Sequence, residues 1–260
     1  MNNYGYQEPI IEEEDFIFGG KSITEEVLQR NGHGWLDFKP LFEPQSRGNI
    51  ETNGCTQYNT LNPLETLLKR QFNEEYDYSE RGLGISAGTD PNSGNNPKKI
   101  CDTIRHKGLF VENLLPFNDT IKTVEEYYSP NPLTFDLVDL GEEWVEKWDF
   151  GYEYVKTPND RLNHDTIINA LQYSPLGVSV VAWAKNEEEL YTKPEGMRDN
   201  HWTGLFDYKY GSHWLIYDSY DESIKKLEWN YAFGFIQRYS LKKRVKKINW
   251  WTEFFMKLWR

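Results

Sequence analysis

A cysteine seated where a turn passes into a helix constrains this chain more than any other feature. Cys55 closes a Gly/Asn-rich turn (Gly48, Asn49, Asn53, Gly54). It opens a run in which Tyr58, Leu61, Leu64, Leu67, Leu68 and Phe72 recur at helical spacing. A thiol at a helix N-terminus lies at the positive end of the helix dipole, which favours thiolate. His201 follows 146 residues later (201 − 55), in the order Asp199-Asn200-His201, and the strand-like His213–Tyr217 then ends in Asp218-Ser219-Tyr220. Nucleophile, base and orienting group in that order form a cysteine-hydrolase constellation. Taken singly, Cys55 also reads as a small buried hydrophobe, and Asp218 as the cap of a strand.

Other segments fall into line around these three. Glu65 stands ten residues after Cys55, and Tyr78-Ser79-Glu80-Arg81 follows. Next come the Gly/Asn turn Asn92–Asn96, then Lys107-Gly108-Leu109-Phe110, then Leu115-Pro116-Phe117. Downstream are Pro175-Leu176-Gly177-Val178-Ser179-Val180-Val181, the block Asn200–Gly204 and the block Asp218–Tyr220. In order and spacing, over roughly residues 35 to 240, this resembles the papain-like cysteine peptidases.

The resemblance implies an α+β protein of two lobes, a helical lobe followed by an antiparallel β-sheet or barrel lobe, with the active-site cleft between them. Residues 35–241 form the catalytic domain, 1–34 an acidic arm and 242–260 a basic aromatic tail. It implies Cys55 as nucleophile, His201 as base and Asp218 where the family has an imidazole-orienting Asn. A carboxylate there would also stabilise the charged imidazole. Asn49, six residues before Cys55, takes the place of the family's oxyanion-binding Gln, with the Cys55 backbone N–H as second donor; Gln45 or Gln57 substitutes if the loop threads differently. Gly94 and Asn95 match the strip that pairs with extended peptide, Val181 the wall of an apolar pocket, and Trp202 the leaving-group side. Thr56 stands where the family has an aromatic residue and Tyr220 where it has Trp.

These departures keep a second reading open, a catalytically degenerate scaffold for binding or assembly, such as a virion-associated protein. A third is an amidase or peptidoglycan-cleaving enzyme. There is also a likeness to papain-like proteins of bacteriophages and uncultivated bacteria.

Four other histidines compete for the role of base. His33 and His106 have Gly and Lys neighbours, His164 precedes Asp165 as at a helix start, and His213 opens the strand that carries Asp218. Only His201 combines the separation with a following strand. Cys101, the second of two cysteines, lies in a helical pattern and reads as core. With two cysteines and no basic, apolar leader, the expectation is a reducing, cytoplasmic setting.

A net charge of −12 argues against nucleic acid as a partner. The expected partner is a protein or peptide substrate. No metal-ligand spacing, phosphate loop or dinucleotide fingerprint is present, so no cofactor is expected. Residues 242–260 carry seven Lys/Arg against one Glu, a charge of +6. Trp250, Trp251, Phe254, Phe255, Leu258 and Trp259 recur there at helical spacing, which suits either docking on the parent domain or an interaction helix for a protein partner or an anionic surface. A short helix is expected at 24–30, mostly helix over 55–125, and a helix at Asp165–Tyr173. Strands are expected at Val178–Ala184, Gly204–Lys209, Trp214–Asp218, Lys226–Trp229 and Phe233–Tyr239.

Overall fold

The computed structural model describes residues 4–18 and 26–244. The expected tail from 245 onward lies outside the described residues, as do residues 24 and 25 of the expected helix at 24–30; the rest of that helix is not formed, since 26–29 are irregular and only a 3-10 turn at Arg30–Gly32 follows.

A small hairpin, β1 (Ser46–Arg47) and β2 (Ile50–Glu51), leads into α1 (Cys55–Phe72). This helix is buried on every side from Cys55 to Leu68, the pattern of a helix enclosed by the core. It ends on Asn73, whose left-handed backbone (φ 53°) lets its N–H reach the carbonyls of Leu68 and Lys69. The helices α2 (Glu80–Ser86) and α3 (Pro97–Lys107) are started by side-chain caps: Ser79 accepts from the Gly82 amide, and Asn96 accepts from Lys99 with Pro97 at the first helical position. After α4 (Val124–Tyr127) and α5 (Phe135–Lys147) the chain turns to β structure.

β3 (Trp148–Lys156) was not foreseen; α6 (His164–Leu171), capped by Asn163, falls at the expected helix. The strands β4 (Leu176–Val180), β5 (Ala184–Lys185), β6 (Tyr191–Thr192), β7 (His201–Lys209), β8 (His213–Tyr217), β9 (Lys225–Glu228) and β10 (Ile236–Lys243) follow. Among the described residues one large sheet runs β3-β10-β4-β7-β8-β9-β6-β5, antiparallel except where β6 meets β9. It has two ends, so of the two forms the sequence allowed it is an open sheet and not a closed barrel.

Helix α1 packs against β7, β10 and β4, and this seam carries the main core: Leu61, Leu64 and Leu68 against Trp202, Leu205, Ile236 and Tyr239. Burying these five aliphatic side chains contributes about 1.5–3 kcal/mol each. A smaller cluster of Ile85, Phe117, Ile121, Tyr127 and Tyr128 sits on the helical side. No described helix is long and apolar enough to cross a membrane.

Candidate active site

The start of α1 and the start of β7 meet at the seam between helices and sheet. Cys55 is the first residue of α1, where backbone amides of the first turn have no helical acceptor. His201 is the first residue of β7, and Asp218 follows the last residue of β8. Cys55, His201 and Asp218 are all fully buried.

One amide lashes the three elements together. Asn59, one turn along α1, donates from Nδ2 to the Cys55 carbonyl (3.1 Å), the Trp202 carbonyl (2.8 Å) and Ser219 Oγ (2.9 Å). The Trp202 backbone amide, next to His201, hydrogen-bonds the Cys55 sulfur. His201 Nε2 meets Asp218 Oδ1 at 2.6 Å, and Thr203 Oγ1 donates to the same oxygen at 3.2 Å. His201 Nδ1 is buried without a hydrogen-bond partner. Burial pushes the Cys55 thiol up, and the charges of Asp218 and Glu51 add to this against the two backbone amides. The Asp218 carboxyl is held below the usual range despite its burial, by His201 and Lys225. Lys225 Nζ lies 3.2 Å from Asp218 Oδ2.

The other histidines are engaged elsewhere. His33 pairs with Asp207 and stacks on Tyr208; His106 contacts its own helix at the Asp102 carbonyl. His164 reaches the Trp229 carbonyl and His213 reaches Ser212. Cys101 is buried, unbridged, and within 3.8 Å of Gln237 Oε1.

Asn49 is corrected by the structure. It lies exposed in the two-residue turn between β1 and β2, beside a surface cleft lined by Arg47, Ile50, Phe117 and Asp119 and by none of the three site residues. Gln45 is the glutamine next to the site, because β1 and β2 fold the intervening residues outward. Its backbone N–H donates to the Ser219 carbonyl, its Oε1 accepts from Ser219 Oγ (2.6 Å), and its Nε2 donates to Tyr220 and Glu51. Gln57 instead turns its Nε2 to Tyr128.

The described N-terminal segment covers the site, which the sequence reading missed. Tyr4 lies edge-on to His201 (6.0 Å between ring centroids), whose ring is also flanked by Trp183 and Tyr220. The Tyr4 amide donates to the Asn200 carbonyl. Tyr6 makes a parallel bridge with Asn95: the Asn95 amide donates to Gly5 O and the Gln7 amide to Asn95 O. Gln7 Nε2 reaches Gly94 O at 2.9 Å. Asn95 thus pairs here with extended backbone of the chain itself, while Gly94 takes the Gln7 side chain. Gly5, at φ +90°, is wedged so tightly that a Cβ on it would lie 1.9 Å from Asn53 O.

Trp202 is fully buried and stacks on Tyr6, on the Asn95 side; the ring flank of His201 is occupied by Tyr4, Trp183 and Tyr220 instead. Val181 is buried and its amide donates to the Tyr231 hydroxyl. Away from the site, Glu43, Glu80 and Glu112 bring carboxylate oxygens within 4.8 Å of one another. They come from a loop, α2 and a 3-10 turn, so no local spacing announced them. Burial raises all three, Glu112 to about 7, and their mutual charge adds to the rise in Glu80 and Glu112.

No family model matches the chain, and no curated protein does. Solved structures do. The cysteine protease and lectin-like domains of Cwp84, a surface layer associated protein of Clostridium difficile, superpose with a TM-score of 0.58 at 15% identity, covering 81% of this chain and 51% of that one. The bromelain protease of Ananas comosus gives 0.54 at 14% identity, over 82% of this chain and 97% of its own. A cysteine protease of Carica candamarcensis gives 0.58 at 14%, over 81% and 97%. The chain spans little more than half the length of the Cwp84 chains it matches. With the helix-start thiol, the buried imidazole and carboxylate, and a helical layer against an open sheet, these likenesses give the chain a papain-like fold.

Proposed function

We propose that the protein is a cysteine peptidase acting through an acyl-enzyme on Cys55. The observation that carries this reading is the polarity of His201. Its Nε2 is committed to Asp218 while its Nδ1 is left without a partner, in a network that also holds the helix-start thiol. In that arrangement Nδ1 takes the thiol proton, and the thiolate attacks a peptide carbonyl. The first-turn amide of Cys55 stabilises the oxyanion, and the imidazolium returns its proton to the leaving amine. Water then attacks the thioester by the same route and frees the thiol. That the substrate is a peptide is supported by the backbone pairing of residues 5–7 on Asn95.

A second reading, a binding scaffold without turnover, is favoured by one observation: the Gln45 amide, the glutamine beside the site, is already committed to Glu51 and Tyr220 and so is not free as a second oxyanion donor. The deciding experiment incubates the full chain with a mixed fluorogenic peptide library and an epoxide-type thiol probe. Expected are hydrolysis and selective probe addition to Cys55 over Cys101, both lost in Cys55→Ala and reduced at least about 10²-fold in His201→Ala, the low end for loss of a general base. Equal slow labelling of both cysteines with no hydrolysis would leave the scaffold reading.

A further inference from the structure

Lys225 has a position that no catalytic pattern supplied. It opens β9, pairs with Ile216 across β8, and is buried to within 3% of full enclosure. Its Nζ lies 3.2 Å from Asp218 Oδ2 and 2.6 Å from Asp221 Oδ2, and 5.2 Å from the centre of the Trp183 ring. Trp183 in turn flanks His201. Asp218 thus has one oxygen on the imidazole and the other on an ammonium.

We propose that Lys225 is a positioning residue that keeps Asp218 ionised and fixed on His201 Nε2, so that Asp218 and Lys225 together, as a neutral pair, stand where the papain-like pattern has an uncharged amide. The assignment rests on the reading of His201 as the base for Cys55. The physical case has two parts. A fully buried carboxylate without a countercharge is costly enough to take up a proton. A protonated Asp218 would donate to Nε2 and place the imidazole proton on Nδ1, the wrong tautomer for accepting from a thiol. An ionised but unpaired Asp218 errs the other way, because its field would hold the imidazole charged. The ammonium offsets that field while leaving the hydrogen bond in place.

The remaining charges around the pair do not replace it. Asp221 is half exposed and bound to the same ammonium. Glu51, from β2, is occupied by Gln45, Asn53 and Tyr220. Tyr4 and Tyr220 are the titratable rings that lie against the imidazole. Burial raises Tyr220, with Glu51 adding to it, and raises Cys55.

The test is a double-mutant cycle on the full chain. The His201 imidazole titration is read by NMR, the pH profile of Cys55 alkylation by mass, and folding by melting. Lys225→Met should move the imidazole titration and both limbs of the alkylation profile by about one pH unit, upward if Asp218 stays ionised and downward if it takes up a proton, a typical size for loss of a close charge partner. Lys225→Arg should restore them. Asp218→Asn alone leaves the ammonium facing an amide and should move the titration down, and adding Lys225→Met to it should bring it back toward the parent value. If Lys225→Met does not fold, the step from Asp218→Asn to Asp218→Asn/Lys225→Met carries the same comparison. An imidazole titration unmoved by Lys225→Met, or by that second step, overturns the assignment. A Lys225-dependent titration in a protein whose Cys55 neither alkylates selectively nor turns over peptide upholds it and removes the peptidase reading instead.

Discussion

Asn59 makes three donor contacts from a single nitrogen, to the Cys55 and Trp202 carbonyls and to Ser219 Oγ. No sequence motif marked it, since an Asn one turn into a helix is unremarkable until its three acceptors arrive from residues 55, 202 and 219. Cys55, His201 and Asp218 could be singled out in the sequence because a nucleophile, a base and a carboxylate must appear as particular residue types, and the fold brings them to one seam. Their supports, Asn59, Gln45 and Lys225, were not, because many residue types can donate and only position selects among them. Asn49 shows the same limit: counting six residues back assumes a fixed loop path, and the β1–β2 hairpin turns that residue out to solvent. Replacing Asn59 with Leu strands buried acceptors, each worth about 1–3 kcal/mol. We expect denaturant midpoints to fall by that order and Cys55 labelling to slow. Unaltered stability would mean that packing alone holds α1 to β7.

At the scale of elements, residues 4–9 behave as a strap across the site. Every contact depends on Gly5 passing close to Asn53 and Gly94, with a positive φ that a β-branched residue adopts only under strain. Gly5→Val should therefore lift the strap. Labelling of Cys55 by a small alkylating agent is expected to accelerate by about tenfold, which needs only about 1.4 kcal/mol of weakened closure. The rate for Cys101, buried in the core, should stay as it was. Equal labelling of Cys55 in parent and variant would remove the strap from any role in access. The helices α1, α3 and α6 were legible from periodicity. β3 was missed although Trp148, Phe150, Tyr152 and Tyr154 alternate with polar or small residues at strand period and point inward; the acidic helix just before it masked the change of period. The edge pieces β5 and β6, two residues each, carry no periodicity at all.

For the whole molecule, the buried carboxyl groups Glu65 and Glu80 and the half-buried Glu43 and Glu112 set the response to pH. Burial raises each of them in the folded state, Glu112 to about 7. A carboxyl raised above its unfolded value of about 4.3 contributes stability that is complete below that value and disappears as pH climbs through the folded one. Asp218, held low, contributes in the opposite sense, and its share is lost only as pH falls below the usual carboxylate range. The melting temperature should accordingly peak on the acid side of neutrality and decline from about pH 5 to pH 8. Glu80→Gln and Glu112→Gln should flatten that decline. Calorimetry across this window checks it, and a melting temperature that rises through neutrality would contradict the assignment.

The sequence by itself determined which residues could do chemistry and the order in which helix and strand follow one another. Both are written locally, in residue type, in spacing and in caps such as Ser79, Asn96 and Asn163. Only the tertiary structure decided that the sheet stays open, that Gln45 and not Asn49 reaches Ser219 at the site, and that Tyr4 covers His201. It also set Lys225 against Asp218. The side-chain pairings among these join residues 7 to 197 positions apart, for example 218 with 225 and 4 with 201, through ion pairs, hydrogen bonds and close packing. Such contacts form only once non-local elements have met, and their identity depends on separations of a few ångströms that no pattern along the chain encodes.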